Sequence, residues 1–224
     1  CVGQGFLPSA AIIDYELSLS VPPRITADTG IDALTHAIEA YVSKKANLFS
    51  DTQATSAIKL IFPNLRSVFF NGNDRKAREE VMMGSTLAGM AFSNASVALV
   101  HGMSRPIGAN YHVPHGLSNA MLLPTVTSFS ISGSISKYAN CSRIMGIANI
   151  NDADDISNEK LIKELYELNK DLNVPSPKEY GIKKEDFVNK LDTLAKQAID
   201  SGSPLNNPVV PSHDQIKELY LELW

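Results

Sequence analysis

Cysteine is nearly absent from this chain: Cys1 and Cys141 are the only two in 224 residues. Two thiols so far apart make no disulfide framework, so the fold has to rest on its core, and they suit a reducing compartment. Long apolar runs are absent too. None approaches the roughly 20 residues that span a bilayer, and no secretory leader is legible. The expectation is a cytoplasmic protein with no membrane partner, and the glycosylation triplets at Asn94 and Asn140 are discounted accordingly. An excess of positive charge is also lacking. Twenty Lys and Arg against 24 Asp and Glu leave a formal charge of −4, which argues against a broad phosphate-binding surface and against nucleic acid as a partner. The phosphate loops are missing as well. Gly3 and Gly5 have dinucleotide-loop spacing, but the third glycine and the surrounding βαβ unit are absent. No serine sits in a nucleophile elbow, and Cys141, with no activating neighbour, reads as a core residue.

What is present is a core. The hydrophobic fraction of 44% is ordinary for one large domain or two small ones. Residues 10–20, AAIIDYELSLS, alternate enough for one short strand. At Pro22 and Pro23 the period changes, and Ile31, Leu34, Ile38 and Val42 recur at helical spacing behind a proline start. Gly30 inside that helix costs about 1 kcal/mol, which points to a close neighbour or a break. A second helix is expected over 50–70, kinked or split at Pro63. The stretch 73–103 reads as the longest helix, with His101 at its end. Residues 101–150 carry Arg105, Lys137 and Arg143 and no acid at all, so the middle of the chain is the core. Beyond residue 151 the helices are charged and amphipathic, a solvated cover. Ser212 and Gln215 have capping-box spacing at the start of the last one. The fold class is mainly α, a helical bundle or orthogonal helical domain with at most a short N-terminal strand.

Histidine is also scarce, and three of the five fall within HGMSRPIGANYHVPHG, residues 101–116. Asp32 and His36, four apart on a helix, share one face. A surface Asp–His hydrogen bond explains that spacing, and so does a shared cation. His101 and His115 are brought together if the chain reverses tightly between two helices. Composition and spacing leave a hydrogen-bonded core and a metal site equally open. One carboxylate and three imidazoles suit Fe(II), Zn(II) or another first-row divalent ion, and do not suit calcium. His112, three residues before His115, reads as lining a pocket or supporting a ligand. Arg105 either hydrogen-bonds local backbone carbonyls or faces an acidic group on a cofactor or substrate. His213 reads as solvated.

PPRITADTGIDALTHAIEAYVS and GMAFSNASVALVHGMSRPIGANYHVPHGLSNAMLLP together closely resemble the C-terminal helical domain of the iron-containing, group III alcohol dehydrogenases, which have the dehydroquinate synthase-like fold. The likeness runs from about Ile12 to the C-terminus. It implies Asp32, His36, His101 and His115 as metal ligands, with Fe(II) first and Zn(II) or another first-row ion second. It places Phe92 in the substrate pocket, and it implies a small alcohol or carbonyl substrate, NAD or NADP as cofactor, and a homo-oligomer when intact. No catalytic group beyond the metal ligands is implied. Many members carry a histidine facing the nicotinamide where this chain has Arg105, so that histidine's role does not transfer. The resemblance also implies that residues 1–20 are the junction with an absent N-terminal α/β cofactor domain, with residues 21–224 the metal-binding domain, a fragment expected to be inactive alone. Two alternatives are a metal- and NAD-dependent lyase of the same fold, and a metal-free helical assembly domain.

Overall fold

The computed structural model describes residue 5 and residues 8–224, so Cys1 and Gly3 lie outside the described residues. Pro23 opens α1 (Pro23–Val42) at the position where a missing N–H has no helical partner to lose. Fourteen of its twenty residues are buried, which makes it the central helix rather than a surface one. An Asn47–Ser50 capping box opens α2 (Leu48–Phe70), and Asp74 caps α3 (Arg75–Ala95) by accepting from Ala77 N at 3.1 Å. These two helices pack on each other and on α1. At Gly30, α1 and α2 approach closely: a Cβ there would collide with the Leu65 side chain. The cost of a mid-helix glycine is thus offset by close packing.

Helix α2 runs unbroken through Pro63, so the expected split does not occur. Pro63 and Lys59 both face solvent. Lys59 carries the carbonyl that loses its helical donor, and on an exposed helix face such a proline is tolerable.

The expected long helix over 73–103 is in fact two. It stops at Ala95, and α4 (Leu99–Tyr111) leaves at 104° to α3. His101 therefore sits in the first turn of a new helix, not at the end of an old one. Ser96 takes a left-handed φ of 64°, and distant side chains satisfy the groups freed by the turn. Ser43 Oγ donates to Ala95 O at 2.7 Å, and Asn206 Nδ2 donates to Ser96 Oγ and Val97 O, both at 3.1 Å. Nothing local in the sequence announces this break, because its stabilising partners lie about 50 to 110 residues away.

His112 ends α4 in the left-handed conformation, φ 56°, and after Val113 and Pro114 the chain starts α5 (His115–Ser130). The expected reversal is present but confined to His112–Pro114: Pro106 and Gly108, expected to break the helix, lie inside α4, which packs on α5. Residues 116–127 of α5 are buried without interruption, in keeping with the acid-free middle of the chain. Helix α6 (Ile135–Ile144) and α7 (Asp154–Asp171) follow. Arg66 of α2 ties α7 down through Glu164 at 2.8 Å and Asp171 at 2.7 Å. Four short helices, α8 (Pro177–Tyr180), α9 (Lys184–Asn189), α10 (Leu191–Asp200) and α11 (His213–Leu221), complete the cover. The last begins with the expected Ser212–Gln215 capping box, and its Tyr220 hydroxyl donates to Met103 O at 2.7 Å.

The strand expected within 10–20 does not form. Tyr15–Ser18 is a short 3-10 turn, and Ile12 and Leu17 lie exposed. Alternation makes a strand only beside a partner strand, and there is none among the described residues. Among the described residues, no single helix is long and apolar enough to cross a membrane; α3 and α4 reach that length and composition only as a bent pair.

Gly116 seats the start of α5 against the Asp28 carbonyl of α1, leaving no room for a Cβ. Gly116→Ala should therefore destabilise the fold by about 1–3 kcal/mol in denaturant titration. Gly89→Ala, in open space on α3, should instead stabilise by roughly 0.5–1 kcal/mol.

Candidate metal centre

Three helices converge on one point. Asp32 and His36 project from α1, His101 from the first turn of α4, and His115 is the first residue of α5. One donor atom from each of the four lies within 4.8 Å of the others. Asp32 Oδ1 is the hub: 3.3 Å from His101 Nε2 and 3.7 Å from both His36 Nδ1 and His115 Nε2. Metal–ligand bonds of about 2.0–2.2 Å put the corners of a tetrahedron about 3.4 Å apart. The spacing and the O,N,N,N donor set both fit a first-row divalent ion.

Two neighbours that spacing did not single out complete the cluster. Asn119, one turn after His115, is fully buried. Its Nδ2 lies 2.6 Å from Asp32 Oδ1, 3.2 Å from His101 Nε2 and 3.3 Å from His115 Nε2. One amide group, with two hydrogens, faces three hydrogen-bonding atoms and cannot donate to all of them. Glu39 follows Asp32 and His36 on the same stripe of α1, at i+7, and is only 3% exposed. Its Oε2 lies 2.6 Å from His101 Nδ1 and accepts from Ala98 N at 2.9 Å, while Oε1 accepts from Val100 N at 2.6 Å. An acid continuing the Asp32–His36 stripe into the buried end of α1 was the signal that could have found it.

The charges are set against one another. Burial and the adjacent His101 take His36 down to about 4. Burial also opposes a charge on His101, but hydrogen bonds to Asp32 and Glu39 outweigh it and push that imidazole up to about 9. Burial lowers His115, and the nearby His101 and Arg105 add to that. Burial raises Asp32, yet the hydrogen bond to His101 and the surrounding imidazoles win and hold it below the usual carboxylate range.

The other expected site residues are dispersed. Phe92 stacks on the His36 ring at 4.4 Å and 22°. Arg105, one turn after His101, is exposed, and its Nη1 donates to Ser203 Oγ at 2.8 Å, a side-chain hydroxyl rather than the backbone carbonyls that were the other expectation. No carboxylate pairs with it among the described residues. His112 is exposed at the end of α4, and the contact it makes is through its backbone, its carbonyl accepting from Tyr180 OH at 3.1 Å.

These shifts set a pH dependence. Below pH of about 9 the folded chain holds a proton on His101, and an incoming ion must displace it. Zn(II) affinity, read by competition with a chelator, should thus rise about tenfold per pH unit up to about pH 9 and then flatten. A flat profile between pH 7 and 9 would show that His101 carries no such proton.

Residues 26–224 match the family described as the Fe-containing alcohol dehydrogenase family, C-terminal. The chain is 38% identical over 214 residues to the NADPH-dependent butanol dehydrogenase of Clostridium saccharobutylicum, covering 95% of this chain and 54% of that one. It is 36% identical over 225 residues to the lactaldehyde reductase of Escherichia coli (strain K12), covering 100% and 57%. A crystal structure of 1,3-propanediol oxidoreductase superposes with a TM-score of 0.92 at 36% identity, over 97% of this chain and 56% of that one. The chain thus spans about half the length of these relatives. Its helices, and a family match over nearly its whole length, place it in the Fe-containing alcohol dehydrogenase family, as the C-terminal helical region.

Proposed function

We propose that Asp32, His36, His101 and His115 hold a divalent first-row metal, Fe(II) in the first instance, and that the chain is the metal-binding half of an NAD(P)-linked alcohol dehydrogenase. The observation that carries this reading is the convergence of four donors from three helices to within 4.8 Å. Such an ion, when bound, supplies a Lewis acid that polarises an alcohol or carbonyl oxygen. The dinucleotide belongs, on this reading, to an N-terminal domain outside the chain. Support comes from the half-length match and from a relative named as NADPH-dependent. Residues 1–20 then form the junction and 21–224 the metal-binding domain, and the setting is cytoplasmic.

The chain's own residues shape the substrate side. Phe92, stacked on His36, forms an apolar wall that keeps water off one face of that imidazole. Arg105 stands at the mouth of the site, close enough for its charge to act on His115, with a hydroxyl as its partner and no acid. We read it as a receptor for an anionic group, where a guanidinium can bind bidentately. His112 belongs to the rim of the pocket and not to the metal.

Anaerobically purified protein should carry about one equivalent of iron or zinc. Asp32→Ala and His115→Ala should abolish it, and His112→Ala should keep it. A wild-type protein that is empty and also refuses added Fe(II) and Zn(II) would refute the metal centre. In the full-length enzyme, Arg105→His should shift the preference between a hydroxy acid and a plain alcohol roughly tenfold or more towards the plain alcohol, the share of a charge-assisted pair. An unchanged ratio of kcat/KM values would remove Arg105 from substrate selection.

A further inference from the structure

The Glu39 carboxylate joins two tasks that are usually separate. Ala98, the residue before the first turn of α4, has no side chain able to cap the helix, and Ala98, Leu99 and Val100 are all buried. Glu39, 59 residues earlier on α1, takes two of their N–H groups, from Ala98 and Val100. The same carboxylate lies 2.6 Å from His101 Nδ1. The ring is 2% exposed and presents its other nitrogen, Nε2, to Asp32. A proton on Nδ1 directed at Glu39 leaves the Nε2 lone pair facing the cluster. With both carboxylate oxygens held by a helix end, the acceptor for that proton cannot swing away.

We infer that Glu39 is a positioning residue: it locks the ring orientation and tautomer of His101 so that Nε2 is presented to the ion, and it does so from the cap of the helix that carries His101. This inference rests on the metal-centre reading. A carboxylate behind a metal-bound imidazole fixes its tautomer and raises its basicity, and losing it typically costs 10–100-fold in affinity. The helix cap extends that logic, because the backbone bearing the ligand and the ligand's ring are registered to one side chain.

Glu39→Gln is the direct test. It removes the charge and one of the two acceptor oxygens, so the amide either turns its NH2 towards His101 Nδ1–H and Ala98 N or keeps its oxygen there, as a weaker neutral acceptor, and sets its NH2 against Val100 N. Asn206→Ala is the control, since it loosens the same turn through Ser96 and Val97 without touching His101. Zn(II) dissociation constants should be weakened roughly 10–100-fold by Glu39→Gln and within about threefold of wild type for Asn206→Ala. In the Zn(II)-loaded protein, ¹⁵N imidazole spectra should show His101 protonated on Nδ1 and, in Glu39→Gln, loss or strong displacement of that signal. Equal weakening by the two variants, or an unmoved His101 signal, overturns the inference and leaves Glu39 as a helix cap alone. A wild-type protein that binds no Zn(II), or binds it equally well as His115→Ala, overturns the metal-centre reading itself and is distinguished by that pattern.

Discussion

A buried carboxylate set against the free N–H groups of a helix end is expensive to remove, because the helix end and the acid would each be left unsatisfied in the core. Glu39 is in that position, and the local architecture depends on it. It allows α4 to begin at Leu99, directly after the 104° turn out of α3, in a place where no side chain of α4 could cap the helix. That turn points the first turn of α4, and with it His101, at α1. Without it, the stretch from Arg75 onward would carry His101 away along a continued α3.

The polar cluster is built on the same economy. Residues 101–150 hold no acid, so every negative charge near His101 and His115 has to come from elsewhere. Asp32 and Glu39, on one stripe of α1, provide it. A helix buried over most of its surface can carry such acids only if each is partnered, as Asp28 of the same helix is by Arg24. Asp32 finds Asn119 and the imidazoles, and Glu39 finds His101 and two backbone groups. The close seat of α5 on α1 at Gly116 then brings His115 up to the same point. Packing, capping and the donor set are therefore a single arrangement, and a change in any one is felt by the others.

Much of this was legible in the sequence where the governing interactions are local. The α1 periodicity, its proline start, the meaning of Gly30 and the Ser212–Gln215 cap depend on neighbours within a few residues, and all appear as read. The reversal between His101 and His115 is legible only at Pro114, since Pro106 and Gly108 are absorbed into α4. The misreadings share one cause. The break after Ala95 is stabilised by Glu39, Ser43 and Asn206, all far off in the chain, so 73–103 looks continuous when read alone. The alternation in 10–20 looks like a strand until one asks what would pair with it. Pro63 looks like a helix breaker until it is found on the exposed face of α2.

By itself, the sequence determined most of the helices and their buried faces, the family, and the four residues, one Asp and three His, that can share a cation, because periodicity, caps and donor chemistry act over one or two turns. Only the tertiary structure decided where α3 ends, that Asn119 and Glu39 belong to the cluster, and that Arg105 rests on a hydroxyl with no acid beside it. Those facts are distances between residues remote in the chain, and they are set by packing α4 and α5 against α1 rather than by any local preference of the backbone.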